Sequence, residues 1–178
     1  MVSKPRVATL WLDGCSGCHM SLLDMDERLL ELAGKIDVVF SPLVDQKEFP
    51  ENVDVTLVEG AVSSDEDLEK IHKVRARTRL LVSLGDCAVT ANVPSMRNPF
   101  TVGSVIDRAY VENITIQPGA PREGVPTLLP QARPIHEFVK VDVFVPGCPP
   151  SADTIHMVLS EILAGGCPDL SAQTRFGA

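Results

Sequence analysis

A chain of 178 residues is long enough to bury the core of one ordinary domain, and 44% hydrophobic with 22% charged residues is the composition of a soluble globular protein. A net charge of −8, a sequence pI of about 4.9 and the lack of a concentrated basic patch argue against nucleic acid as a partner. No apolar run approaches the roughly 20 residues that span a bilayer, so no membrane insertion is expected. Met1-Val2-Ser3-Lys4-Pro5-Arg6 leads into an apolar run with neither a signal-peptide core nor a twin arginine, which predicts a cytoplasmic location.

Residues 7–12 read as a buried strand closed by Asp13-Gly14. From Ser21 to about Ala33 the positions of Leu22, Leu23, Met25, Leu29, Leu30 and Leu32 predict one helix, with Gly34 as its C-terminal cap. A second strand over 36–40 stops at Ser41-Pro42, and a third over 53–58 ends at Glu59-Gly60. Ser64-Asp65-Glu66-Asp67 supplies a helix cap and an acidic first turn, and basic residues from His72 to Arg79 suit the other end. A fourth strand over 79–84 is terminated by Gly85-Asp86-Cys87, and a fifth over 140–145 by Pro146-Gly147. Ser151-Ala152-Asp153 caps a last helix running to about Leu163. Between the fourth and fifth strands, an excursion over about 88–139 contains Pro118, Pro121, Pro126, Pro130 and Pro134; it is expected to be irregular and to lie on a partner. The alternation predicts a single α/β domain over 1–178, a flavodoxin-like doubly wound parallel sheet.

Five cysteines are an odd number without the spacing of a small stapled fold, and in a reducing compartment such residues are more often ligands or catalysts. In an open parallel sheet ligands sit beyond the carboxyl ends of the strands. Cys15 and Cys18 follow strand one, Glu59 follows strand three, Cys87 follows strand four and Cys148 follows strand five, so all of them share one edge. Four thiolates bind a structural zinc or an iron–sulfur cluster, the plainer alternative being unrelated core thiols. Structural zinc sites tend to use two tight CxxC knuckles, whereas here one pair joins two distant singles on separate loops. That builds a roomy cup, better matched to a cubane. Gly14, Gly17, Gly85 and Gly147 let the backbone approach and aim N–H groups at sulfur.

Trp11-Leu12-Asp13-Gly14-Cys15-Ser16-Gly17-Cys18, Leu57-Val58-Glu59-Gly60-Ala61, Gly85-Asp86-Cys87-Ala88 and Val145-Pro146-Gly147-Cys148-Pro149-Pro150 together resemble the small subunit of [NiFe]-hydrogenases. The resemblance implies that Cys15, Cys18, Cys87 and Cys148 ligate one proximal [4Fe–4S] cluster, with the NiFe centre on a separate large subunit. Membrane-bound and periplasmic small subunits look longer, with a leader and a domain for further clusters. This chain is more similar to the short delta subunit of cytoplasmic, bidirectional NAD-reducing hydrogenases, an oxidoreductase assembly. There, diaphorase subunits carrying FMN and further iron–sulfur clusters complete the path to NAD⁺. Many relatives carry a glutamate at the position of Met20 that is implicated in proton exit; methionine cannot relay protons. The alternative is the cluster-bearing 20-kDa-type subunit of complex I, or another quinone- or sulfur-linked electron-transfer complex. Its first motif typically shows two adjacent cysteines, unlike Cys15 and Cys18.

Glu59 suits a proton-carrying or interface role, with a turn or cap as the plainer alternative. Asp86 suits a hydrogen bond within its loop. His19 is either a contact of the cluster edge or large subunit, or an ordinary first-turn residue. Trp11 belongs to the core or an interface. Cys167 follows the last helix, breaks the strand-end rule, and reads as a spare thiol. Pro149-Pro150 should stiffen the Cys148 loop and start the last helix.

Overall fold

Strands this rich in apolar residues need cover on both faces, and amphipathic helices between them supply it. The computed structural model describes residues 4–171 and 173. The chain runs through β1 (Arg6–Trp11), α1 (Gly17–Leu23), α2 (Glu27–Lys35), β2 (Asp37–Phe40), β3 (Val53–Glu59), β4 (Val62–Ser64) and α3 (Asp65–Arg77). It continues through β5 (Thr78–Leu84), α4 (Asp86–Thr90), α5 (Val102–Asp107), β6 (Leu128–Arg133), β7 (Val143–Val145) and α6 (Ala152–Leu163). Strands β2-β1-β3-β5-β7 pair in parallel in that order. Counted among themselves they read 2-1-3-4-5, the flavodoxin-like order, whose switch point lies between β1 and β3.

One face of the sheet, with Val7, Val55, Leu57, Val82 and Leu84, packs against Met25 of the α1–α2 turn, Leu32 of α2 and Ile155, Val158 and Ile162 of α6. The other face, with Ala8, Leu10, Val58 and Leu81, is covered by Ile71 and Val74 of α3 and by Ala88 and Ile135. Burial on both sides explains why apolar and β-branched residues dominate these strands. The start of α3 is fixed by a capping box: the Asp67 N–H donates to Ser64 Oγ at 3.1 Å, and the Ser64 N–H to Asp67 Oδ2 at 3.0 Å.

Three expectations change. The single helix from Ser21 is two helices, because Asp26 adopts φ 51 and turns the chain so that Met25 enters the core; short aspartates favour such breaks. Gly34 then lies within α2 and Ile36 caps it. The last strand is shorter than 140–145, because the Asp142 carboxylate takes the Leu81 N–H at 2.9 Å ahead of the regular ladder. The excursion is more ordered than its prolines imply. It holds the end of α4, a 3-10 turn at Pro94–Arg97, α5, a π turn at Arg108–Glu112, and β6, which pairs antiparallel with β4. Arg97 donates to the carbonyls of Ser63 and Leu129, and the Asn98 amide spans both backbone groups of Ala132.

Candidate metal centre

The exits of β1 and β3 are tied together first. The Asp13 N–H donates to Ala61 O at 3.1 Å and the Ala61 N–H to Asp13 O at 2.7 Å. Gly60, at φ +92, sits so close to Leu12 and Asp13 that a Cβ would meet their backbone at 2.7–2.9 Å. From this junction the chain passes Cys15, turns left-handed at Ser16, and enters α1 with Cys18 in its first turn. At the end of β5, Gly85 takes φ +82, and a side chain there would fall far inside contact with the Cys18 sulfur. The Cys18 thiol therefore lies directly over the exit of β5, and Cys87 follows in the first turn of α4.

Asp86 joins the last cysteine loop to this frame. Its N–H donates to Gly147 O at 2.8 Å, and its Oδ1 accepts the Gly147 N–H at 2.7 Å. Ser21 Oγ donates to Pro150 O, pinning α1 to the same loop. Pro149 follows a cis peptide bond, and both prolines precede Ser151, the cap of α6, rather than opening the helix. Cys148 Sγ accepts the side-chain N–H of Asn92 at 3.6 Å.

The four thiols share one electrostatic neighbourhood. Burial pushes the Cys18 thiol well above the usual cysteine range, and Glu59, Cys87, Cys15 and Cys148 add to the rise. Burial also raises Cys87; the Val93 N–H, which donates to its sulfur, works against this, while Cys15, Cys148 and Glu59 reinforce it. Cys18 and Cys87 are each 7% exposed, and Cys15 and Cys148 open to the surface. Among the described residues no three His, Cys, Asp or Glu side chains close around a single metal ion. The residues fit an iron–sulfur cluster: four thiols on three loops, whose deprotonated forms repel one another, call for a cationic group, and glycines line the space beside two of them. Cys167 stands apart, exposed beyond the far end of α6, about 18 Å of helix from the Cys148 loop.

Glu59 and His19 form a buried pair at 1% exposure each. The Glu59 carboxylate accepts the His19 backbone N–H at 3.0 Å and also bonds the imidazole Nδ1. The other ring nitrogen lies 3.0 Å from Thr9 Oγ1, which donates to Ser41 Oγ at 2.8 Å. Trp11 stacks over the His19 ring at 5.7 Å and 23° while remaining 39% exposed. His19 is thus neither at the surface nor an ordinary first-turn residue; apolar spacing misplaces it because α1 starts four residues earlier than Ser21. Met20, the next residue, is 48% exposed. His136 stacks edge-on against Phe144, away from these contacts, and His72 is exposed. Thr9, Ser41 and Asn92 carry no sequence signal; a lone asparagine in a loop has none to give.

Residues 15–162 match the family described as NADH ubiquinone oxidoreductase, 20 Kd subunit. The delta subunit of the NAD-reducing hydrogenase HoxS of Cupriavidus necator is 43% identical over 172 residues, which is 94% of this chain and 82% of that one. A subunit of the F420-non-reducing hydrogenase of Methanothermobacter marburgensis is 40% identical over 171 residues, 93% of this chain and 55% of that protein. The chain therefore spans little more than half the length of that archaeal relative. Among solved structures, a chain of an NAD⁺-reducing [NiFe]-hydrogenase in the H2-reduced state has a TM-score of 0.92 at 38% identity, covering 97% of this chain and 99% of its own. A chain of the Dm. baculatum [NiFeSe]-hydrogenase, at TM-score 0.63 and 19% identity, shares the fold; the match covers 98% of this chain and 70% of that one. With sequence and backbone in agreement over nearly its full length, this chain belongs to the family of the NADH ubiquinone oxidoreductase 20-kDa subunit, and within it to the delta-type small subunits of NAD-reducing hydrogenases.

Proposed function

We propose that this chain, one domain over residues 1–178, is the electron-transfer subunit of a bidirectional NAD-reducing [NiFe]-hydrogenase, with Cys15, Cys18, Cys87 and Cys148 holding one [4Fe–4S] cluster. The observation that carries this reading is the meeting of four thiols from three strand ends at one sheet edge. When bound, such a cluster supplies one-electron transfer between a NiFe centre on the large subunit and the FMN and further clusters of diaphorase subunits that lead to NAD⁺. The protein's own part is position, potential and exclusion of water. Asp86 keeps the Cys87 and Cys148 loops in register. Glu59 and His19 fix the start of α1 and so the direction of Cys18. Trp11, Met20 and Val93 leave apolar surface beside the thiols, which suits a large-subunit interface. Glu59, buried beneath that surface, is placed to anchor the ligand loop, and a proton-carrying role would have to run through His19 rather than Met20. No helix among the described residues is long and apolar enough to cross a membrane, and a cytoplasmic location is part of this proposal.

The quinone- or sulfur-linked alternative keeps the same fold and the same broad family. The CxxC spacing and the hydrogenase relatives favour the first reading. Purification of the intact complex, with iron, nickel and flavin analysis and an assay of H2-dependent NAD⁺ reduction, tests it. Iron and nickel together with NAD⁺ reduction are expected; a colourless protein with one zinc per chain would end the redox account.

A further inference from the structure

We propose that the side-chain amide of Asn92, by donating an N–H to the Cys148 sulfur, raises the reduction potential of the cluster; this rests on the four-cysteine assignment above. Asn92 follows the short helix α4, at a point where the chain doubles back. Ala91, 1% exposed, holds φ 61, a left-handed conformation unusual for alanine, and its N–H closes α4 on Cys87 O at 3.0 Å. The turn is locked from the far side: the Ser95 N–H donates to Ala91 O at 2.8 Å, and Ser95 Oγ donates to Asn92 O at 2.8 Å.

The consequence is that two successive residues aim N–H groups at two sulfurs on separate loops. The Val93 backbone N–H donates to Cys87, and Asn92 Nδ2 lies 3.6 Å from Cys148 Sγ. A deprotonated sulfur only accepts, so the amide must present its NH2 edge rather than its oxygen. Among the described residues, Cys148 is the one partner to which this side chain donates. Its contribution to folding is therefore small, and its position relative to the ligand is what the strained turn secures. Reduction adds negative charge to the cluster and its sulfurs, and an N–H donor stabilises the more negative state more strongly. The Val93 donor belongs to the backbone, whereas the Asn92 donor is set by sequence alone.

The experiment compares the wild-type complex with Asn92→Leu and Asn92→Asp, two side chains of similar size that remove the donor. Iron per chain is measured first, then an EPR-monitored redox titration of the intact assembly. Full iron is expected in both variants, with one cluster component moved to lower potential in Asn92→Leu and further in Asn92→Asp, while the other components stay in place. Full iron with no component moved overturns the proposal. Loss of iron from both variants also overturns it, because the amide would then hold the site together rather than tune it. A separate Cys148→Ala complex that keeps all its iron contradicts the cluster assignment itself, which distinguishes that failure from an unmoved potential.

Discussion

At Gly85 the backbone takes φ +82 against the Cys18 sulfur, and no other residue type fits without displacing it. Gly85→Ala should cost about 1–3 kcal/mol in backbone strain alone, and should lower iron content as the Cys18 thiol is pushed aside. Gly34 is the contrast: it lies within α2 with nothing within 4 Å of an added Cβ. Gly34→Ala should raise stability by about 0.5–1 kcal/mol without touching the metal. Chemical denaturation and iron analysis of both variants check the pair, and equal behaviour would refute the claim that Gly85 is steric. Glu59 is the second decisive residue. Glu59→Gln keeps an acceptor for His19, whereas Glu59→Ala leaves buried donors without one and should cost about 3 kcal/mol. If the two substitutions lose stability equally, the carboxylate does not serve as the anchor described. Glu59 is visible in the sequence because it ends a strand, and His19 because it follows Cys18; their pairing is not, since the burial of His19 depends on where α1 begins.

At the level of elements, the strand ends are legible and the short pieces are not. β1, β3 and β5 are covered on both faces, so most of their residues are apolar or β-branched and buried, and their ends are sharp. β4 has three residues, too few to show a period, and β6 contains Pro130, tolerated because this ribbon has only two strands. β7 loses its predicted first half to a side chain. Burial alone would raise the Asp142 carboxyl, but the Leu81 N–H and the Arg75 guanidinium, at 2.6 Å, hold it below the usual carboxylate range, with Lys140 reinforcing them. A carboxylate with a lowered folded-state pKa contributes stability that is present above its unfolded value, about 3.9, and is lost as pH falls through the folded value. Asp142→Asn should therefore be less stable than wild type by about 1 kcal/mol near neutral pH, and the gap should close below about pH 4. Urea unfolding at several pH values measures this; a gap that widens in acid would contradict the role assigned to the ion pair.

For the molecule as a whole, the parallel order β2-β1-β3-β5-β7 decides where a ligand can sit. A doubly wound sheet places its ligand crevice where neighbouring strands lead their connections to opposite faces, between β1 and β3. Cys15, Cys18 and Glu59 leave from that point, and Cys87 and Cys148 from the next two strands on one side. Topology therefore predicts a shared site from cysteines up to 133 positions apart, the span between Cys15 and Cys148. What the sequence could not supply is the bracing between loops. The Asp86–Gly147 clasp, the Ser21–Pro150 bond and the Asn92 turn are contacts between distant segments, and no local pattern encodes them. The most direct measurement is iron content and H2-dependent NAD⁺ reduction of intact complexes carrying, one at a time, alanine at Cys15, Cys18, Cys87, Cys148 and Cys167. The first four should each lose iron and activity, and Cys167→Ala should keep both. Full iron and full activity in any one of the first four would contradict the four-thiolate centre.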